Sequence, residues 1–225
     1  MSIVFYCNWP NKQEWFYKLK RKFNRKKIQI WPKIVNHDDI EYAIVWDIPN
    51  GALDKFKNLK VIFSLGAGVD HLFMDSKLPK LPIVRLKDPI MRQRMSNYVK
   101  SQILNYQLNI YKYYENNKKI FWNEEFTESD NSNLIVGILG MGYLGSYVAK
   151  DLCNNRYKIQ GFKNSKTSKK YIFPVFYKKK QLRKFISTSD IIVNLLPNTQ
   201  NTKNFINKGF LQNMKKKSLL INVSR

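Results

Sequence analysis

The stretch Leu134-Ile135-Val136-Gly137-Ile138-Leu139-Gly140-Met141-Gly142-Tyr143-Leu144-Gly145 decides the fold of this 225-residue chain. An apolar strand-like run leads directly into a Gly-x-Gly-x-x-Gly turn, and a helical pattern follows the turn. In such a unit Gly140 permits the tight turn, Gly142 lets the backbone approach a diphosphate, and Gly145 lets the helix pack against the strand. The helix start also presents free N–H groups to phosphates. The pattern therefore predicts a Rossmann-type dinucleotide-binding unit, with a glycine turn that binds nothing as the alternative.

The end of the second strand of this unit, Lys158–Phe162, indicates which dinucleotide is bound. The glycine turn supplies one set of expected contacts, namely Gly140, Met141, Gly142, Tyr143, Leu144 and Gly145. An NAD site usually carries Asp or Glu after the second strand, but residues 163–170 contain no carboxylate. Charge and hydrogen bonds to a 2′-phosphate could instead come from Lys163, Asn164, Ser165 and Lys166. The sequence thus favours NADP(H) over NAD(H), with a lysine-rich surface loop as the alternative.

Strand-like and helical stretches alternate along the whole chain, which is typical of α/β proteins with parallel sheets. The pattern predicts two Rossmann-like or flavodoxin-like lobes, a flavodoxin-like substrate domain at residues 1–100 and an NAD(P)-binding Rossmann domain at residues 101–225. One uninterrupted helix is expected from Arg92 to about Asn116, because this stretch contains neither Pro nor Gly. A strand is expected at Ile172–Phe176. The chain stops two residues after a last predicted strand at Leu219–Val223, so we expect the second lobe to be incomplete and poorly stable.

The composition narrows the choice of partners. The net charge of +24 comes mostly from lysines spread along the chain, which favours solvated helix faces over a nucleic-acid-binding surface of clustered arginines. The sequence has no long uncharged apolar run and no signal-peptide pattern. Its two cysteines, Cys7 and Cys153, lack metal-ligand spacing. We therefore expect a cytoplasmic protein with no metal site and with neither nucleic acid nor membrane as a partner.

Several segments together resemble the D-isomer-specific 2-hydroxyacid dehydrogenases, and most closely their glyoxylate/hydroxypyruvate reductase A branch. The segments, in chain order, are YAIVW at 42–46, FSLGAGVD at 63–70, MRQRMSNY at 91–98, LLPNTQNT at 195–202 and LLINVSR at 219–225. The resemblance covers the chain from about Tyr42 onward, and the first forty residues fit in pattern only.

The resemblance implies roles for individual residues. The loop Gly66, Ala67, Gly68 and Val69 would bind the substrate carboxylate through backbone amides, with Trp46 close by, although Trp46 could equally be a core residue. Arg225 would be the catalytic arginine. Further cofactor contacts would come from Met95, Leu196, Pro197, Asn198, Thr202, Val223 and Ser224.

The implied activity is hydride transfer from NADP(H) to a small 2-oxoacid, glyoxylate or hydroxypyruvate, by a homodimeric enzyme that forms the D-2-hydroxyacid. In the family a histidine tuned by a glutamate protonates the product oxygen, and both residues lie downstream of the arginine motif. His71 is expected to be a surface or lining residue, and His37 is given no role. For the 225-residue chain alone, which ends at Arg225, we expect poor stability, low activity or both. A non-catalytic NAD(P)-binding protein or sensor that lacks the acid–base pair is the alternative function.

Overall fold

The computed structural model describes residues 2–24, 27–123, 130–165, 168 and 170–224. The chain divides into two compact units, Met1–Asp88 and Pro89–Arg225. The sequence predicted the division twelve residues later, after residue 100. The difference arises because Val99 and Ile103, in the helix that follows Asp88, are fully buried in the core of the second unit.

The first unit is built on a five-stranded sheet. Its elements are β1 (Ser2–Cys7), α1 (Lys12–Lys22), β2 (Lys27–Ile30), β3 (Ile40–Trp46), β4 (Val61–Ser64), α2 (Asp70–Phe73) and β5 (Ile83–Arg85), with a 3-10 turn at Leu53–Lys55. The strand order is β2-β1-β3-β4-β5 and every strand pair is parallel. This 2-1-3-4-5 order is the flavodoxin-like one, and it places the ends of β1, β3 and β4 side by side at one edge.

The second unit contains the glycine turn. Its elements are α3 (Pro89–Gln107), α4 (Ile110–Lys118), β6 (Ile135–Leu139), α5 (Tyr143–Asn154), β7 (Lys158–Lys163), β8 (Val175–Tyr177), α6 (Lys179–Thr188), β9 (Ile191–Asn194), α7 (Lys208–Gln212) and β10 (Leu219–Asn222), with a 3-10 turn at Asn131–Asn133. The sheet order is β10-β9-β6-β7-β8, with all pairs parallel. When β6 is numbered as strand 1 and the sheet is read from β8 to β10, this is the Rossmann order 3-2-1-4-5.

Helices cover both faces of the second sheet, so β6 is buried on both sides and reads as a continuous apolar run. On one face α3 and α5 pack against the strands through Val99, Ile103, Val148 and Leu152. On the other face Phe185 of α6 and further apolar residues form a second core. The chain order reverses between β6 and β9, and ligands of open α/β sheets bind at the strand ends beside such a switch point.

The single helix expected from Arg92 to about Asn116 is wrong. The structure has two helices, α3 and α4, because Asn109 adopts a left-handed conformation with φ of 51° and interrupts the helical backbone. The side-chain oxygen of Asn105 then accepts a hydrogen bond from the Tyr111 N–H at 3.1 Å. Asparagine tolerates this conformation better than most residues, so the break needs neither Gly nor Pro.

The strand expected at Ile172–Phe176 begins later, at Val175. Pro174 lacks an N–H and only its carbonyl joins the sheet, accepting from the Gly161 N–H at 2.9 Å. In the described part of the chain no helix is long and apolar enough to cross a membrane.

Candidate functional site

The glycine turn follows β6 at the carboxyl edge of the second sheet. Gly140 has φ of 106°, and a side chain there would come within 2.8 Å of the Leu195 backbone. A Cβ on Gly145 would lie 1.9 Å from the carbonyl oxygen of Gly140. A Cβ on Gly142, by contrast, would have no neighbouring atom within 4 Å. Two glycines are therefore required by packing, while the third leaves an open approach to the backbone.

The start of α5 fits a diphosphate. Gly142 is the N-cap residue of α5 and has no side chain to accept from the first N–H groups of the helix. These groups and the helix dipole favour an anion at this position. The turn is held in place by the Gly140 N–H, which donates to the Phe162 carbonyl at 3.1 Å, and by the Ser146 N–H, which donates to the Gly142 carbonyl at 2.9 Å. A preorganised, open helix start is what a dinucleotide phosphate requires.

The predicted cofactor residues of the turn differ in how they face solvent. Met141 is 3% exposed, and its Cγ atom would lie 2.8 Å from a Cβ placed on Gly161. Met141 therefore packs closely against β7 as a core residue. Tyr143 and Leu144 are half-buried at the start of α5. Lys163 ends β7 and is half-buried, and Asn164 and Ser165 follow it in an exposed bend. Lys166 lies outside the described residues.

A third set of predicted residues lies at the ends of β9 and β10. The side-chain oxygen of Asn194 accepts from the Leu196 N–H at 3.1 Å, and its amide donates to Asn222 at 3.0 Å. Ser224 donates its hydroxyl to the Leu196 carbonyl. Val223 donates its N–H to the Asn194 carbonyl at 3.2 Å. The two strand ends are thus tied together beside the glycine turn, and the sequence analysis assigned neither asparagine a role in the site.

The segment after β9 closes on itself in a tight turn. The Thr199 N–H donates to the Thr202 hydroxyl at 2.9 Å, and that hydroxyl donates to the Pro197 carbonyl. Asn198 is exposed on this turn. Met95 lies on α3, is half-buried and packs against the core of the second unit. Arg225, the expected catalytic arginine, lies outside the described residues.

The first unit carries the predicted carboxylate loop between β4 and α2. Within the described residues of this unit, no hydrogen bond uses the N–H groups of Ala67, Gly68 or Val69. The Ser64 hydroxyl lies 3.3 Å from the Gly66 N–H and from the carbonyls of Gly66 and Gly68, and so shapes the loop. A loop held from within by a serine, with free amides, suits an anion such as a carboxylate.

Trp46 lies directly against this loop. A Cβ on Gly66 would fall 1.9 Å from Cζ3 of the Trp46 ring, so only glycine fits there. The ring centroid of Trp46 is 4.5 Å from that of His71 and 5.4 Å from that of Trp9. His71 is half-buried in this aromatic group. Sequence reasoning missed Trp9, because only the pairing of β1 with β3 brings the ends of these strands together.

The structure gives His37 no part in the glycine turn or in the carboxylate loop. His37 stacks on Phe56 at 5.4 Å, in the first unit. Among the described residues, no group of three or more His, Cys, Asp or Glu side chains is arranged to hold a metal ion.

Fold and turn define the class of protein: a two-unit α/β protein whose second unit is a Rossmann-type dinucleotide-binding domain. Residues 101–225 match the family model described as D-isomer specific 2-hydroxyacid dehydrogenase, NAD binding domain. The chain therefore belongs to the D-isomer-specific 2-hydroxyacid dehydrogenases, a family of NAD(P)-dependent oxidoreductases. The predicted family and the predicted pair of parallel α/β sheets are confirmed.

Three solved structures illustrate the similarity. A D-isomer specific 2-hydroxyacid dehydrogenase from Xanthobacter autotrophicus, in complex with NADPH and MES, is 28% identical with a TM-score of 0.90 and covers 100% of this chain and 72% of its own. A probable 2-hydroxyacid dehydrogenase from Rhizobium etli, in complex with NADP, HEPES and tartaric acid, is 26% identical with a TM-score of 0.89 over 100% and 73%. The NADPH-dependent glyoxylate/hydroxypyruvate reductase from Sinorhizobium meliloti, in complex with NADP and sulfate, is 28% identical with a TM-score of 0.85 over 100% and 72%.

Proposed function

We propose that this chain uses NADP(H) to reduce a small 2-oxoacid, glyoxylate or hydroxypyruvate, to the D-2-hydroxyacid. The observation that carries the proposal is the glycine turn at the carboxyl edge of the second sheet. Its open Gly142 and uncapped helix start can accept a dinucleotide diphosphate. The family supplies the reaction type, and the S. meliloti reductase supplies the substrate class.

The preference for NADP(H) rests on the end of β7. Lys163 stands where NAD sites usually place a carboxylate for the ribose 2′-hydroxyl, and no acidic residue occurs in residues 163–170. A 2′-phosphate would meet the ammonium group of Lys163 and the polar groups of Asn164 and Ser165. The relatives from X. autotrophicus, R. etli and S. meliloti were all solved with NADPH or NADP, which agrees with this preference.

The glycine turn and the start of α5 would hold the dinucleotide, which when bound would supply a hydride to the keto carbon of the 2-oxoacid. The N–H groups of Ala67, Gly68 and Val69 hold the substrate carboxylate. Trp46 limits the space beside the loop, which favours substrates with no more than a small group on the keto carbon. Arg225 is proposed to polarise the keto group of the substrate while the electron pair of its C=O double bond moves to the oxygen. That oxygen must then gain a proton. The family resemblance assigns the proton transfer to a histidine downstream of the arginine motif. His37 and His71 both precede that motif, so neither is assigned this role.

A homodimer is proposed as the working form. Exposed apolar side chains lie along α3, α4 and the residues after α4, including Leu104, Leu108, Tyr111, Ile120 and Trp122. A second copy of the chain would cover such a surface, which exceeds the scattered apolar residues normal for a soluble monomer.

The proposal is tested by binding first and turnover second. Purified chain is titrated with NADPH while the fluorescence of the reduced nicotinamide is followed, and NADPH oxidation is then measured with glyoxylate and with hydroxypyruvate. We expect saturable binding, and oxidation only when a 2-oxoacid is present. Binding without turnover on either acid would favour the dinucleotide sensor, and no binding at all would overturn both readings.

A further inference from the structure

A pocket of about 570 Å³ opens beside the glycine turn within the second unit. One wall is the face of α5 that bears Tyr143, Tyr147 and Lys150, and Gly142 lies at its start. Arg92 of α3 and Lys163 of β7 complete the lining. The pocket therefore continues from the proposed phosphate site onto side chains that the sequence motif does not include.

The lining carries an excess of positive charge. Arg92, Lys150 and Lys163 form no ion pair within the part of the chain that the structure describes. The acidic residue of the lining, Asp151, is already paired with Lys100 at 3.0 Å and accepts from Ser96 at 2.5 Å. Three cations facing one pocket repel one another, and an anionic ligand removes that repulsion.

Arg92 is the cation whose position is best defined. Its guanidinium carbon lies 4.7 Å from the ring centroid of Tyr147 and 5.4 Å from that of Tyr143. Cation–π contact with two rings restricts where the planar group can lie, and its N–H groups are donors suited to an oxyanion. Because Tyr143 is the first residue of α5, Arg92 is held next to the helix start that would carry the diphosphate.

We propose that Arg92 is a phosphate-binding residue of the dinucleotide site, positioned by Tyr143 and Tyr147, with Lys150 and Lys163 lining the same pocket. This inference rests on the proposed binding of NADP(H). Its ligand chemistry is a phosphate group, either the diphosphate common to both dinucleotides or the 2′-phosphate present only in NADP(H).

The test compares dissociation constants of NADPH and NADH for the whole chain and for Arg92→Gln, Arg92→Lys and the control Arg94→Gln. Arg94 lies on the same helix, is exposed and does not line the pocket. We expect Arg92→Gln to weaken NADPH binding by roughly tenfold or more and to reduce its dependence on salt. Because Arg92→Lys keeps the charge but loses the planar guanidinium, it should retain only part of the affinity. Arg94→Gln should match the unmodified chain.

Each outcome has one meaning. Weakened binding of both dinucleotides by Arg92→Gln assigns Arg92 to the diphosphate, whereas weakened NADPH binding alone assigns it to the 2′-phosphate. Unchanged affinity for both overturns the inference while leaving the proposed function intact. If the unmodified chain binds neither dinucleotide, the proposed function fails and the inference fails with it. Arg92→Lys serves as the test variant if Arg92→Gln lowers the melting temperature.

Discussion

At the scale of single residues, Gly142 and Gly145 lie three positions apart in one turn but have opposite surroundings. An alanine at 142 meets open space, whereas one at 145 meets the carbonyl oxygen of Gly140 at 1.9 Å. We expect Gly142→Ala to change the free energy of unfolding by no more than about 0.5 kcal/mol. It should nevertheless weaken NADPH binding, because the new methyl group occupies the approach to the backbone.

Gly145→Ala serves as the contrasting variant. The contacted atom belongs to the backbone, so helix α5 must shift away from the turn, and we expect a loss of about 1–3 kcal/mol in the free energy of unfolding. Urea unfolding and NADPH titration of both variants give the comparison. Equal destabilisation by the two changes would show that the open space at Gly142 is needed for folding rather than for the ligand.

At the scale of secondary-structure elements, Asp151 joins α3 to α5 by accepting from Ser96 and pairing with Lys100. Burial alone would raise the pKa of Asp151, but the hydrogen bonds from Ser96 and Lys100, with the Lys100 charge, outweigh burial and lower the pKa below its ordinary value of 3.8. A carboxylate whose pKa is lowered by folding contributes its full stabilisation above about pH 3.8, the pKa of the unfolded state. This stabilisation is lost as the pH falls through the lower pKa of the folded state. Asp151→Asn should therefore destabilise the chain by about 1–2 kcal/mol at neutral pH and flatten the loss of stability below pH 3.8.

Glu115→Gln is the matched control, because Glu115 pairs with Lys118 at 3.1 Å within the single helix α4 and near the surface. Such a pair contributes little, so we expect a change below about 0.5 kcal/mol. Urea unfolding at several pH values measures both variants. An acid-side profile of Asp151→Asn that coincides with that of the unmodified chain would contradict the assigned role.

At the scale of the whole molecule, the proposed homodimer predicts a mass in solution twice that of a single chain. Leu104 is 41% exposed and Leu108 is 47% exposed, on the surface we propose a second copy covers. The combined change Leu104→Glu and Leu108→Glu places charges in that interface and should convert a dimer to a monomer, because an unpaired buried charge is strongly unfavourable. Sedimentation equilibrium over a range of concentrations measures the mass.

Leu211→Glu is the control for this experiment, since Leu211 is 50% exposed on α7, which does not belong to the proposed surface. It should leave the mass of a dimer unchanged. A monomeric mass for the unmodified chain at every concentration would exclude the proposed assembly. A dimeric mass for both the Leu104→Glu/Leu108→Glu variant and the Leu211→Glu variant would show that the interface lies on another surface.

The sequence by itself determined the features that depend on neighbours along the chain. The glycine turn between strand and helix was readable because Gly140, Gly142 and Gly145 stand at a fixed spacing within one strand–turn–helix unit. The missing carboxylate after β7 was equally visible. The break at Asn109 was not, because a left-handed asparagine leaves no compositional signal comparable to Gly or Pro.

Only the tertiary structure decided which distant residues share a site. Arg92 precedes Tyr147 by more than fifty positions, and their cation–π contact depends on the packing of α3 against α5. The same holds for Trp9 beside Trp46, which requires β1 to pair with β3. Local propensity acts over a few residues, whereas these contacts arise when apolar faces are buried together, and hydrophobic burial has no direction that a short sequence window can reveal.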